Sequence, residues 1–199
     1  MERLDILINN AGIGTAGARQ TSAEGFELRF AVNYLAGFLL TLLLLPLIKN
    51  SAPARIVNVS SGGQQPIDFG DVMLTRGYSG RRAYCQSKLA QVMFTIDLGA
   101  ALKGTGVTAT CLHPATYMDT SMVRRAGVRP LSTVEEGARA ILNLATSPAV
   151  EGQTGLYFNG LHEAKAQAPA YDPDARRQLR ELSLELTGVS AEDVVAREQ

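Results

Sequence analysis

Tyr84 and Lys88 stand four residues apart in the stretch Arg81-Arg82-Ala83-Tyr84-Cys85-Gln86-Ser87-Lys88-Leu89-Ala90. The segment reads as a helix, so both side chains project from one face. A free phenol ionises near ~10 and is a poor acid–base catalyst at neutral pH. An ammonium one turn away stabilises the phenolate and is expected to bring that pKa closer to the working range. The same spacing is common in helices that do no chemistry, so the pair takes its meaning from what accompanies it.

Those companions lie at the ends of short apolar runs. Leu4 to Ile8 reads as a buried strand that exits through Asn9-Asn10-Ala11-Gly12. Arg55-Ile56-Val57-Asn58-Val59-Ser60 is a second strand, with Ser60-Ser61-Gly62-Gly63 as its exit loop. Between them, residues 23–47 read as a helix opened by the capping-box pattern Thr21-Ser22-Ala23-Glu24. Asn33 sits inside that apolar helix and needs a hydrogen-bond partner, either as a structural bridge or as part of a site. Gly12 to Gly17 match G-x-G-x-x-G letter for letter. A pyrophosphate loop opens directly into a helix, however, and here the helix signal comes later, so that reading is set aside.

The Gly-punctuated segment 64–80 is irregular, and a helix follows over 81–103, stopped by Gly104 and Gly106. Val107 to Leu112 is a third strand ended by His113-Pro114, and residues 115–130 form a loop with room for one short helix. A helix over 132–146 is capped by Ser132 or Thr133. Gly155 to Asn159 is a fourth strand, and Pro173 to Thr187 a terminal helix whose charges suit a solvated or partner-facing surface. Alternating strands and helices imply parallel pairing with right-handed crossovers, an α/β fold. A single domain over 1–199 is expected, with 160–199 as a C-terminal tail and helix.

Composition narrows the partners. The 199 residues carry 19 Lys+Arg and 19 Asp+Glu, a balance that points to neither nucleic acid nor an anionic membrane. The two cysteines, Cys85 and Cys111, fit a reducing compartment, and Cys85 reads as buried filler beside the tyrosine. No signal peptide and no metal-ligand set are read. The most apolar stretch, Phe38 to Ile48, is short and contains Pro46, so a buried helix rather than a membrane span is expected.

Taken in order, Asn9-Asn10-Ala11-Gly12, Asn33, Ser60-Ser61, Tyr84/Lys88 and His113-Pro114 give a pattern that resembles the short-chain dehydrogenase/reductase family, most closely its retinol-dehydrogenase-like branch. The resemblance covers nearly the whole chain. It implies a Rossmann-like doubly wound parallel sheet and an oxidoreductase that interconverts a small-molecule alcohol and a carbonyl, lipophilic in the closest branch, with NAD or NADP.

By this resemblance Tyr84 is the general acid–base, and Lys88 assists it and hydrogen-bonds the nicotinamide ribose. Ser61 polarises the substrate oxygen, and Asn33 holds a water that links Lys88 to solvent. Asn10, Ala11 and Gly12 line the adenosine side of the cofactor. Pro114, Ala115, Thr116, Tyr117 and Thr120 meet its carboxamide.

The pattern departs from the family's in three places. A segment containing Ile67 to Asp71 lengthens the Ser61–Tyr84 spacing, as in the retinol-dehydrogenase-like branch. Ala115 replaces the usual glycine, and Thr120 falls one position late. The family's N-terminal Gly-rich half, T-G-x-x-x-G-x-G, is absent, so the chain reads as an N-terminally truncated, catalytic half. The alternative reading is a catalytically inactive remnant acting as an interaction module. A homodimer or homotetramer, paired through helices 23–47 and 81–103, is a further expectation of the resemblance. The cysteine usage, with no signal peptide or span read, gives the expectation of a soluble, cytoplasmic protein.

Overall fold

The computed structural model describes residues 2–189; Met1 and residues 190–199, counted within the expected single domain, lie outside them. Five strands form one sheet in the order β1 (Ile6–Asn9), β2 (Ala54–Val59), β3 (Val107–His113), β4 (Leu156–Asn159) and β5 (His162–Ala164). The first four are parallel, and β5 returns antiparallel beside β4.

Strand chemistry explains the layering. Along β2, Ala54 and Ile56 point to one face and Val57 and Val59 to the other, the two-residue alternation of a pleated strand. Both faces are covered, which is why this strand is almost continuously apolar. One face carries the helices α1 (Leu28–Phe30), α2 (Ala36–Asn50) and α3 (Gly80–Ala101), and α6 (Pro173–Thr187) packs outside them. The opposite face of β2 and β3 is covered by α5 (Val134–Thr146) through Ala140, Leu144 and Ala145. The short α4 (Ser121–Arg125) lies in the loop after β3.

At the sheet edge, Leu7 and Asn9 of β1 are buried toward α2, whereas Ile6 and Ile8 remain 38% and 37% exposed. Among the described residues no strand pairs with the outer side of β1.

Local signals set the helix ends. Ser79 caps α3 by accepting from the Arg82 amide at 3.1 Å. Thr133, one of the two candidates, caps α5 in a reciprocal capping box with Glu136. Helix α3 lies so close to the start of β4 that a methyl group on Gly99 would come within 2.4 Å of the Gly155 amide nitrogen. No other residue fits that contact.

Three expectations change. The first helix does not open at Thr21–Glu24. Residues 21–27 form a tight turn, bridged between Thr21 and Glu27 with Gly25 at φ +87°, and Glu27 caps α1 instead. The strand β5 was not read, although Asn159-Gly160 between β4 and β5 is a hairpin signal. The apolar helical run is also longer than Phe38 to Ile48. It continues through a π-turn, Ala31–Leu35, and spans Leu28–Asn50, 23 residues, long and apolar enough by length and composition to cross a bilayer. In this fold its Phe38, Leu45 and Ile48 are buried in the core, while Leu40 and Leu43 stay exposed.

Candidate active site

The cluster forms at the C-terminal ends of β1, β2 and β3, where open α/β sheets place their ligand crevice. Ser60 fastens the β2 exit to α3 by donating its hydroxyl to the Lys88 carbonyl at 2.8 Å. Ser61 is held from several sides. Its Oγ accepts from the Gly63 amide at 3.1 Å, and its carbonyl accepts from Gln64 Nε2 at 2.8 Å and the Tyr157 hydroxyl at 3.2 Å. The Tyr84 ring stands close by: a methyl group on Gly63 would touch both Ser61 Oγ and the edge of that ring. Ser61 and Tyr84 thus lie on the same side of the sheet end, near one another.

Tyr84 and Lys88 leave the same face of α3, but their electrostatics differ from the expectation. Burial pushes the Tyr84 phenol above its ordinary pKa, with the Ser61 hydrogen bond pulling only partly the other way. The Lys88 side chain, 4% exposed, donates from Nζ to the Val59 carbonyl at 2.8 Å and to Gln91 Oε1 at 2.9 Å. Its Nζ lies 5.7 Å from the centre of the Tyr84 ring, over the face rather than at the hydroxyl. Burial brings the Lys88 ammonium down to about 7. In this arrangement desolvation, not the neighbouring cation, decides the phenol's pKa.

The sequence reading missed what lies behind Lys88. The Gln91 carbonyl accepts from the Thr95 hydroxyl at 2.7 Å, and Thr95 in turn accepts from Asn58 Nδ2 at 2.9 Å. Asn58 Oδ1 accepts from Asn9 Nδ2 at 2.8 Å, and the same Asn9 nitrogen reaches the Thr41 hydroxyl at 2.9 Å. This buried polar chain ties the ends of β1 and β2 to α2 and α3, and each member is satisfied, as burial in a low-dielectric interior demands. The only hint in the sequence was the asparagine at each strand end.

Asn33 sits in the π-turn, a helix irregularity that recurs at functional sites. It is a structural bridge: its Nδ2 donates to the Ile13 carbonyl at 3.1 Å and to Ser87 Oγ at 3.0 Å, and its Oδ1 accepts from the Ile13 amide at 2.8 Å. It also stands close to the cluster. A methyl group on Gly12 would lie 3.3 Å from Asn33 Oδ1 and 3.6 Å from Lys88 Nζ.

The expected cofactor residues fall into two groups. At the end of β1, Asn10 and Ala11 are exposed, and Gly12 faces Asn33 and Lys88. After β3, Pro114 is buried and Ala115 half-buried, Tyr117 is exposed with φ +46°, and Thr116 bonds the His113 ring at 3.0 Å. Thr120 caps α4 through the Val123 amide at 3.4 Å.

The glycine pair Gly62-Gly63 packs beside the side chains of Ser61, Tyr84 and His113. A methyl on Gly63 would lie 3.6 Å from Ser61 Oγ and 3.7 Å from the Tyr84 ring, and one on Gly62 would lie 3.4 Å from the His113 ring. Beside Ser61, a cleft of about 450 Å³ is lined by Gln64, His113, Tyr157, Asn159, Lys165 and Gln167, among others. It is within the roughly 300–1,000 Å³ range of small-molecule sites.

The Gly12–Gly17 loop behaves as its context implied. No helix opens from it, and the Gly14 and Ala16 carbonyls accept from Arg29 at 2.7 and 2.5 Å.

Lys88 gives a pH signature that needs no turnover. Its pKa is depressed on folding, so between about 7 and the ordinary lysine value near ~10.4 the unfolded chain binds more protons. The Lys88 contribution therefore makes stability rise with pH through that window. Urea unfolding of wild type and Lys88→Met should show the variant gaining on wild type as pH falls from 9 to 6. A stability difference independent of pH would contradict a desolvated ammonium at this position.

The chain matches the short chain dehydrogenase family model over residues 1–129. It is 41% identical to human retinol dehydrogenase 14 over 94% of its own length and 60% of that protein's, and 41% identical to human retinol dehydrogenase 13 over 100% of its own length and 64% of that protein's. It thus spans somewhat less than two thirds of these relatives. Among solved structures it superposes on an uncharacterised protein of Mycobacterium paratuberculosis with TM-score 0.72 and 29% identity, covering 94% of this chain and 68% of that one. The NADPH-bound carbonyl reductase from chicken fatty liver gives TM-score 0.61 and 27% identity, covering 83% of this chain and 66% of that one. With the ordered Ser61, Tyr84 and Lys88 cluster already in place on a parallel sheet, the match settles the family: the chain belongs to the short-chain dehydrogenases, within their retinol-dehydrogenase-like branch.

Proposed function

We propose that this chain carries the acid–base centre of an NAD(P)-dependent oxidoreductase that interconverts an alcohol and a carbonyl. The observation that supports it most strongly is the nearness of Ser61, Tyr84 and Lys88 at the C-terminal end of β2. In the reductive direction the Tyr84 hydroxyl donates its proton to the carbonyl oxygen as the carbon accepts hydride. Ser61 donates a second hydrogen bond to that oxygen as negative charge develops. Lys88 then returns a proton toward Tyr84, with Asn33 and the neighbouring Ile13 backbone bordering the path to solvent. The nicotinamide supplies the hydride in this direction and accepts it in the reverse.

Gly12, Tyr84 and Lys88 would hold the nicotinamide ribose side, and Pro114 to Tyr117 the carboxamide side. Lys88 is held in place by the Val59 carbonyl and Gln91 Oε1, and would hold the ribose hydroxyls of a bound cofactor from there. Human retinol dehydrogenases 13 and 14 suggest retinoid-type lipophilic substrates, while the polar lining of the cleft beside Ser61 favours a substrate with polar groups next to its carbonyl.

The uncovered edge of β1 supports the second reading, an interaction module without activity of its own. The two readings separate in one comparison. Binding of NADH and NADPH is titrated by fluorescence on the chain alone and on a chimaera joined to the residues that precede the matching region in human retinol dehydrogenase 14. The oxidoreductase reading expects the chimaera to bind at least one cofactor and to reduce an aldehyde from a panel that includes retinal. A folded chimaera that binds neither cofactor would overturn it.

A further inference from the structure

Helix α6 lies across α2 and α3, on part of the face where subunit pairing was expected. It is fastened by the Tyr34 hydroxyl to Ser183 Oγ at 2.7 Å and by Arg176 to Asp97 at 2.7 Å. The three helices do not close completely. Between them is a cavity of about 220 Å³, whose wall includes Tyr34, Phe38, Leu45, Phe94, Leu98 and Leu179. The Tyr34 hydroxyl is already bonded, so the interior offers apolar surface and aromatic edges. The volume is below the roughly 300–1,000 Å³ of drug-sized sites and suits a single hydrocarbon chain.

The rim has the opposite character. Among the described residues, Asp97 of α3 holds Arg176 and is approached by Arg180 at 3.9 Å, so one carboxylate faces two guanidiniums. A surplus of positive charge at the mouth of an apolar slot is complementary to a chain with an anionic head, and guanidinium is the group best shaped to take a carboxylate. Phe94 is ten residues along α3 from Tyr84, about 15 Å of helix, which separates this cavity from the hydride-transfer site.

We infer that the α2–α3–α6 cavity binds a free medium-chain fatty acid, with its chain among Phe38, Phe94 and Leu179 and its carboxylate at Arg180. The inference does not depend on the catalytic reading. Calorimetric titration of the 199-residue chain with monomeric decanoate should show saturable binding of one molecule per chain, and decan-1-ol should bind at least about tenfold more weakly. Arg180→Glu should weaken decanoate about tenfold. Ala101→Trp, at an exposed position on the lining, should block entry without altering the core, with circular dichroism confirming the fold.

Four outcomes would each overturn the inference. They are the absence of saturable decanoate binding, equal affinity for the alcohol, affinity unchanged in both folded variants, and binding to phosphatidylglycerol vesicles while monomeric decanoate is ignored.

Discussion

Tyr84→Phe, made in the chimaera that turns over, is expected to lower kcat by at least about 10²–10⁴-fold, the usual worth of a positioned acid–base group. Affinity for the nicotinamide cofactor should stay within about twofold, because the ring and its packing against Lys88 survive the loss of one oxygen. The separation matters more than the size of the loss. A residue whose role is structural would move stability and binding together, whereas a proton donor to a developing alkoxide moves kcat alone. Ser61→Ala should cost less, roughly 10²–10³-fold, because a second hydrogen bond to the oxygen is lost while proton transfer continues. The buried phenol, whose pKa lies above the ordinary value in this structure, sharpens the test. Turnover retained in Tyr84→Phe would remove the mechanism.

The largest effect on stability is expected at Arg29, far from any chemistry. Arg29 and Glu27 are buried, 3% and 0% exposed, with Arg29 Nη1 3.5 Å from Glu27 Oε1. The same guanidinium donates to the Gly14 and Ala16 carbonyls and to the Tyr78 hydroxyl, and Tyr78 donates to Glu27 at 3.2 Å. One side chain thus joins the β1 exit loop, the start of α1 and the segment that leads into α3. A methyl on Gly80 would come within 2.0 Å of the Thr15 carbonyl oxygen, which shows how tightly these segments meet.

Arg29→Met keeps most of the volume but leaves the Glu27 carboxylate buried without its cation. That loss costs about 3–5 kcal/mol. For a chain of this size the melting temperature should fall by roughly 10 °C. Adding Glu27→Gln should recover part of it, since removing both charges also removes the uncompensated one. A loss within about 1 kcal/mol would show that the pair is not buried as described.

The fold and the site were most legible in the sequence where local spacing and chemistry coincide. Tyr84 and Lys88 on one helical face, the serine pair at a strand exit and the alternation of strands and helices all follow from periodicities of two and 3.6 residues. The terminal helix, expected over about Pro173 to Thr187, is found there, bounded by the Asp172 cap and by Gly188 in the left-handed conformation. Partners far apart in sequence were not legible. Nothing local joins Thr95 to Asn58 and, through it, to Asn9, or sets Tyr157 on the Ser61 carbonyl, because the sheet order creates those contacts. The Thr21–Glu24 pattern misled for a related reason. A capping box describes four residues, whereas the turn that replaced it is fixed by Gly25 and by Glu27, whose buried partner Arg29 is held by a loop ten or more residues upstream.

The phenol's pKa shows a different limit. Spacing gives the distance along a helix, but desolvation depends on what the rest of the chain places over it.

The most direct measurement follows the hydride itself. The chimaera is incubated with NADPH or NADH carrying deuterium on the transferring face of C4 and with a carbonyl substrate it turns over, and the alcohol is analysed by mass spectrometry. One deuterium on the carbinol carbon, with formation of that alcohol suppressed in Tyr84→Phe, is the predicted result. Unlabelled alcohol from fully labelled cofactor would contradict hydride transfer at the Ser61–Tyr84 site.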